Sequence, residues 1–132
     1  MEYLLDTNVL LFSFVDRRRL SRKLLRILED NYNDIYYTPV NIWEVALKYS
    51  RGKLQLDGRT PDEFLDYLEG EGIYDFQELF TGSIATSYQL PQRHGDPFDR
   101  MIVWEALQYD RVLLTTDEAL REYEQDGLRI VT

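Results

Sequence analysis

Apolar positions along this chain fall into short uninterrupted runs separated by longer stretches with helical spacing. Tyr3-Leu4-Leu5 is such a run, closed by Asp6, and Thr7 to Phe14 then reads as a helix. Ser21 is placed to cap an amphipathic helix over Arg22 to Asn31, with Leu24, Leu25, Ile27 and Leu28 inward. Ile35 to Thr38 predicts a second strand ended by Pro39, and Asn41 to Ser50 a helix that stops near Gly52. Thr60-Pro61-Asp62-Glu63 combines a cap, a first-turn proline and a capping-box acid, so a helix is expected to about Glu69. Ile73 to Phe76 is a third short strand, followed by a helix from Thr81 to Leu90 that Pro91 breaks. Asp96-Pro97 opens a helix carrying Phe98 to Tyr109; Val112-Leu113-Leu114 is a buried-strand run, Asp117 to Glu124 is helical, and Leu128 to Val131 is a last strand.

Strands that show little period-two alternation are apolar on both sides, so both faces of their sheet are covered. Alternation of such strands with helices predicts an α/β fold around a parallel sheet. No repeat, linker or low-complexity segment interrupts the pattern, and 132 residues fit a single domain spanning 1–132. A domain of this size buries roughly two-thirds of its unfolded surface and needs no staples.

Composition removes several chemistries. Cysteine is absent, which excludes disulfides, zinc–thiolate sites and thiol nucleophiles, and suits a reducing, cytoplasmic setting. The opening MEYLLDTNVLLFSFVDRRR has no basic stretch before its apolar run, so it reads as strand and helix, not as a signal peptide or membrane span. A net charge of −9 argues against a protein that coats nucleic acid, but not against one that holds phosphate through cations. Arg17, Arg18, Arg19, Arg22 and Lys23 form the one basic concentration, either a solvated helix entrance or a guide for a phosphate backbone or acidic partner. His94 is the only histidine, so no histidine-based metal cage is available, and neither a nucleophile elbow nor a glycine-rich phosphate loop occurs.

The acids carry more information. Asp6 and Asp117 stand just beyond the carboxyl ends of strand runs, where open α/β sheets bind ligands. Each also has an ordinary reading as a helix cap. Asp99 shares a helix face with Ile102, Val103 and Ala106, so its carboxylate points inward and needs a partner; the alternative is simple first-turn support behind Asp96, the cap, and Pro97. Glu44 and Lys48 have the i,i+4 spacing of an exposed ion pair, on a helix whose Ile42, Val45, Ala46 and Tyr49 make an apolar stripe widened by Trp43 and Leu47. Were these acids to converge, two carboxylates about 4 Å apart would repel by roughly 4 kcal/mol at an effective dielectric near 20. Magnesium or manganese is the natural remedy, since hard divalent ions favour oxygen ligands.

Four segments, LLDTNVLL at 4–11, NIWEVALKYSRGKL at 41–54, LPQRHGDPFDRMIVWEAL at 90–107 and VLLTTDEAL at 112–120, together resemble PIN-domain ribonucleases, in particular the VapC-type toxins of toxin–antitoxin pairs. The resemblance implies a three-layer α/β/α fold with a parallel sheet of about five strands. It also implies that Asp6, Glu44, Asp99 and Asp117 form a catalytic quartet binding Mg²⁺ or Mn²⁺ for hydrolysis of RNA. Thr7, Asn8 and Thr115 match supporting polar positions, and Lys48 and Arg100 are possible contacts to RNA or to an antitoxin, or ordinary ion pairs. A homodimer is the implied assembly, and with ten tyrosines in the chain, Tyr32, Tyr36 and Tyr37 are interface candidates. A receiver-like phosphoacceptor domain would require paired acids after the first strand, and a haloacid-dehalogenase-type phosphatase would require D-x-D there; Asp6 stands alone and position 8 is Asn. The stronger alternative is a catalytically silent PIN fold that docks RNA or a partner protein.

Overall fold

The computed structural model describes residues 1–132. Five parallel strands form one sheet in the order β3-β2-β1-β4-β5: β1 Glu2–Leu5, β2 Asp34–Tyr37, β3 Asp75–Phe76, β4 Val112–Leu114 and β5 Ile130–Val131. The helices are α1 Thr7–Val15, α2 Arg22–Glu29, α3 Pro39–Ser50, α4 Pro61–Glu71, α5 Thr81–Thr86 and α6 Pro97–Tyr109. This is the expected PIN-like α/β arrangement, with helices on both sides of the sheet. Consecutive strand residues feed opposite cores, which explains the lack of alternation. Tyr3, Leu5, Val112 and Leu114 pack with Val9, Leu10, Leu24, Phe64 and Leu68 of α1, α2 and α4. Leu4 and Leu113 face the other way, onto Ile102, Val103 and Ala106 of α6 with Leu120 and Tyr123. No helix is long and apolar enough to cross a membrane.

Several boundaries differ from the sequence-based expectation, each for a local reason. Pro39 does not merely end β2; it is the first residue of α3, with Thr38 as cap and Asn41 Oδ1 accepting from the Thr38 amide at 2.8 Å. The expected helix from Thr81 to Leu90 gives way after Thr86 to a 3-10 turn over Ser87–Gln89. There the hydroxyls of Thr86 and Ser87 donate to the carbonyls of Gly82 and Ile84 and compete with the helical ladder. Glu118–Asp126 is a 3-10 helix, not an α-helix. Every third residue is eclipsed in that geometry, which stacks Leu120 and Tyr123 inward and pairs Arg121 with Glu118 and Glu124 outward. Gly127, at φ 98°, then reverses the chain into β5.

The expected inward stripe of α3 is also corrected. Trp43, 63% exposed, lies edge-on to Phe98 at 4.7 Å, and Ala46 and Tyr49 are exposed too. The buried face holds Val40, Asn41, Glu44 and Val45. Of the tyrosines considered for an interface only Tyr32 is freely exposed: Tyr37 is core, and the ring of Tyr36 lies 3.4 Å beneath the Arg111 guanidinium.

Candidate metal centre

Central strand β1 has β2 on one side and β4 on the other, so the chain departs from it in both directions across the sheet. Crevices form at such points beyond the strand carboxyl ends. Asp6 follows β1 there, 5% exposed and in extended backbone. Its Oδ1 accepts from the Thr7 amide at 2.8 Å and its Oδ2 from the Thr115 hydroxyl, which itself accepts from the Asp117 amide at 3.0 Å. Thr115, the residue after β4, therefore ties two of the acids together. Thr7 acts at one remove, with its hydroxyl accepting from Asn41 Nδ2 at 3.1 Å; that amide also donates to the Leu5 carbonyl. Asn41, which the sequence reading passed over, thus locks α3 against the end of β1. Its only trace in the sequence is its place three residues after the capping Thr38.

Glu44, one turn further along α3, is 4% exposed. The i,i+4 pair with Lys48 forms at 2.7 Å, but it is not the solvated pair that spacing suggests: Glu44 Oε2 takes the ammonium and Oε1 is buried with no partner. Asp99 lies in the first turn of α6 behind the true cap, Asp96, whose Oδ1 accepts from the amides of Phe98 and Asp99. Ligand atoms of Asp6, Glu44 and Asp99 lie within 4.8 Å of one another, and so do those of His94, Asp99 and Asp117. Asp99 belongs to both groups, so the four acids and the single histidine form one continuous patch. Asp117 also caps the 3-10 helix through the Ala119 amide while its carboxylate lies in the acid patch.

The electrostatics follow from this crowding. Burial, and then the charges of Asp6, Asp96, Glu44 and Asp117, push the Asp99 carboxyl up to about 8. Burial likewise raises Asp6 to about 6, against the hydrogen bonds from Thr115 and Thr7 that favour its charged form. Lys48 is the one cation paired with any of the four acids. A donor set dominated by carboxylate oxygens, a buried orphan oxygen on Glu44 and carboxyls driven toward protonation together fit a hard divalent cation, which would offset the repulsion. Thr115→Val is expected to raise the Asp6 pKa further and to destabilise the protein by about 1–3 kcal/mol, because it leaves the Asp117 amide without its acceptor. Carboxyl titration by NMR and urea unfolding measure the two effects.

The remaining sequence-predicted residues separate clearly. Asn8 is exposed, on the wall of a cleft that also carries Phe12, Asp16, Arg19, Lys48 and Lys53, with Lys48 linking it to Glu44. Arg100, half-buried, donates to the carbonyls of Leu90 and Pro91 and to the Tyr123 hydroxyl. Within the basic strip, Arg17 pairs with Glu29, Arg18 with Asp16, and Arg19 covers the Phe12 ring.

The profile of the PIN domain matches residues 3–125. Solved structures share the fold end to end at low identity. VapBC2 from Rickettsia felis, bound to a DNA fragment from its promoter, aligns with a TM-score of 0.70 at 16% identity, over 99% of this chain and 98% of that one. FitAcB from Neisseria gonorrhoeae aligns at 0.65 and 19%, over 98% and 96%. A toxin–antitoxin complex from Klebsiella pneumoniae aligns at 0.58 and 18%, over 98% and 96%. No curated protein matches the chain in sequence. With the profile covering nearly all of the chain and the acids gathered beyond β1 and β4, the chain belongs to the PIN-domain family.

Proposed function

We propose that this chain is a Mg²⁺- or Mn²⁺-dependent endoribonuclease, the toxin of a toxin–antitoxin pair, working in the cytoplasm as a homodimer. The observation that carries this reading is the buried, unpartnered oxygen of Glu44, in a side chain within 4.8 Å of Asp6 and Asp99. A buried polar atom without a partner is costly, and an acceptor-only oxygen among other carboxylates is relieved by a bound cation or by a proton on a neighbouring carboxyl. Asp6, Glu44, Asp99 and Asp117 would hold the ion. When bound, it lowers the pKa of water and offsets charge on a phosphoryl group. Thr115 and Thr7 hold the acids and their helices in place, and the two buried acids sit away from competing solvent. Hydrolysis forms one P–O bond from water and breaks one P–O ester bond, with the water hydroxyl going to one RNA fragment and its proton to the other. The cleft with Arg19, Lys48 and Lys53, also lined by Asp16, offers local positive charge in a chain of net charge −9. The same cleft suits an antitoxin segment, in keeping with the toxin–antitoxin assemblies that share the fold.

Incubation of a single-stranded RNA with the chain in Mn²⁺ is expected to yield fragments. Asp6→Asn should slow this by more than about 100-fold, beyond the loss typical of residues that only orient a ligand. Equal cleavage by parent and variant would point to contamination. A parent that gains stability from Mn²⁺ but cuts nothing would favour a PIN fold that docks RNA or a partner without chemistry.

A further inference from the structure

His94 lies outside the acidic quartet, yet its imidazole borders it. Nε2 is 3.7 Å from Asp99 Oδ2 and 3.6 Å from Asp117 Oδ2. The loop that carries it is held from two sides. Arg100 donates to the carbonyls of Leu90 and Pro91, and Arg93 makes a two-point ion pair with Asp126 at 2.6 and 3.1 Å. The ring is half-buried, with its position fixed by neighbours and not by solvent.

The hydrogen bonding of the ring decides what it can offer. Nδ1 accepts from the Asp96 amide at 3.3 Å. A neutral imidazole that accepts at Nδ1 carries its proton on Nε2. That N–H therefore faces the gap between Asp99 and Asp117, at distances too long for a hydrogen bond to either. Direct ligation of a metal through Nε2 would require the proton to leave that nitrogen and the Asp96 amide, next to the first turn of α6, to lose its acceptor. The ring is thus built to donate into the acid patch, and the group it would meet is an acceptor brought there by a ligand.

We infer that His94 contacts the substrate, donating its Nε2 proton in a hydrogen bond to a non-bridging oxygen of the RNA phosphodiester held at the acid site. The inference rests on the ribonuclease reading. Such a donor strengthens as negative charge builds on the phosphoryl oxygens, so it acts on turnover more than on RNA affinity. The Asp96 amide fixes the direction of the donor, and the Arg93–Asp126 and Arg100 contacts fix its distance.

The test compares the parent with His94→Ala and His94→Gln, the glutamine offering an amide N–H at similar reach. Cleavage of one single-stranded RNA in Mn²⁺ gives kcat and KM, and MnCl2 alone, without RNA, gives the metal concentration that half-raises the melting temperature. His94→Ala is expected to lose about 10–100-fold in kcat with KM changed less than about threefold, and His94→Gln to recover at least about fivefold of that loss. Half-saturation by MnCl2 should stay within about twofold of the parent in both. Parental cleavage by His94→Ala would overturn the inference while leaving the ribonuclease reading intact. A tenfold or greater rise in MnCl2 half-saturation in both variants would make His94 a metal ligand and overturn it too. A parent that MnCl2 stabilises but that cleaves no RNA would remove the ribonuclease reading, and this inference with it.

Discussion

Asp99→Asn is expected to melt at a higher temperature than the parent chain near pH 8 without divalent metal, and to gain nothing from added Mn²⁺. Folding raises the Asp99 carboxyl from 3.8 to about 8, chiefly through burial and then through Asp6, Asp96, Glu44 and Asp117. Below the unfolded value both states carry the proton and the group does not affect stability. Between that value and about 8 the folded protein keeps a proton that the unfolded chain has released. Stability therefore falls as the pH rises, by up to about 1.4 kcal/mol per unit for one proton, and the loss is complete above about 8. Asp6 adds its own decline, finished near pH 6. Asparagine keeps the shape without the charge, so the variant escapes the Asp99 share of that loss near pH 8. The same substitution removes an oxygen donor shared by both halves of the acid patch. Melting curves from about pH 5 to 9, in chelator and then in Mn²⁺, measure both effects. In the parent, Mn²⁺ should stabilise most where the carboxyls have lost their protons. A parent that melts equally across that range in chelator would contradict the electrostatic account, and a variant stabilised by Mn²⁺ as much as the parent would remove Asp99 from the proposed metal site.

Glu105→Leu is expected to destabilise the protein by about 2–4 kcal/mol, whereas Glu105→Gln should cost less than about 1 kcal/mol. Glu105 is fully buried on α6, with Oε1 accepting from the Thr38 hydroxyl at 2.7 Å and from Gln77 Nε2 at 3.0 Å. Gln77 Oε1 in turn accepts from Arg111 Nη1 at 2.6 Å. Burial pushes the Glu105 carboxyl up, against those two hydrogen bonds, so an amide reproduces the uncharged form that the interior favours. Leucine leaves the Thr38 hydroxyl and the Gln77 amide buried without an acceptor. Thr38 is also the cap of α3, the helix that carries Asn41 and Glu44, so the leucine variant should bind Mn²⁺ more weakly than the glutamine variant. Urea unfolding and a Mn²⁺ titration separate the two. Glutamine as harmful as leucine would mean that Glu105 works as a charge.

The sheet was readable in the sequence because the central strands β1 and β4 are apolar on both sides and most helices carry a capping side chain. Where hydroxyls competed with the ladder, at Thr86 and Ser87, or where i,i+3 spacing suited two kinds of helix, after Asp117, the linear pattern could not choose. The reading of α3 went astray for a deeper reason. A helix normally buries its apolar stripe, but here Asn41 and Glu44 turn inward, and Trp43, Ala46 and Tyr49 are left outside. Helical spacing shows which residues share a face, not which face meets the sheet. The positions of the acids could be named through resemblance. Their hydrogen bonds, the orphan oxygen of Glu44 and the approach of His94 depend on residues far apart in the chain, such as Thr115 and Asp6, 109 positions away.

That separation bears on when the protein can act. β1 is made first but pairs with β4, and the last of the four acids stands at position 117. Contacts between such distant segments close late and slowly. A chain emerging from the ribosome at about 5–20 residues per second carries Asp6 and Glu44 into solution for seconds before Asp99 and Asp117 exist. On the ribonuclease reading, the acid site cannot close until Asp117 has been added and β4 has paired with β1.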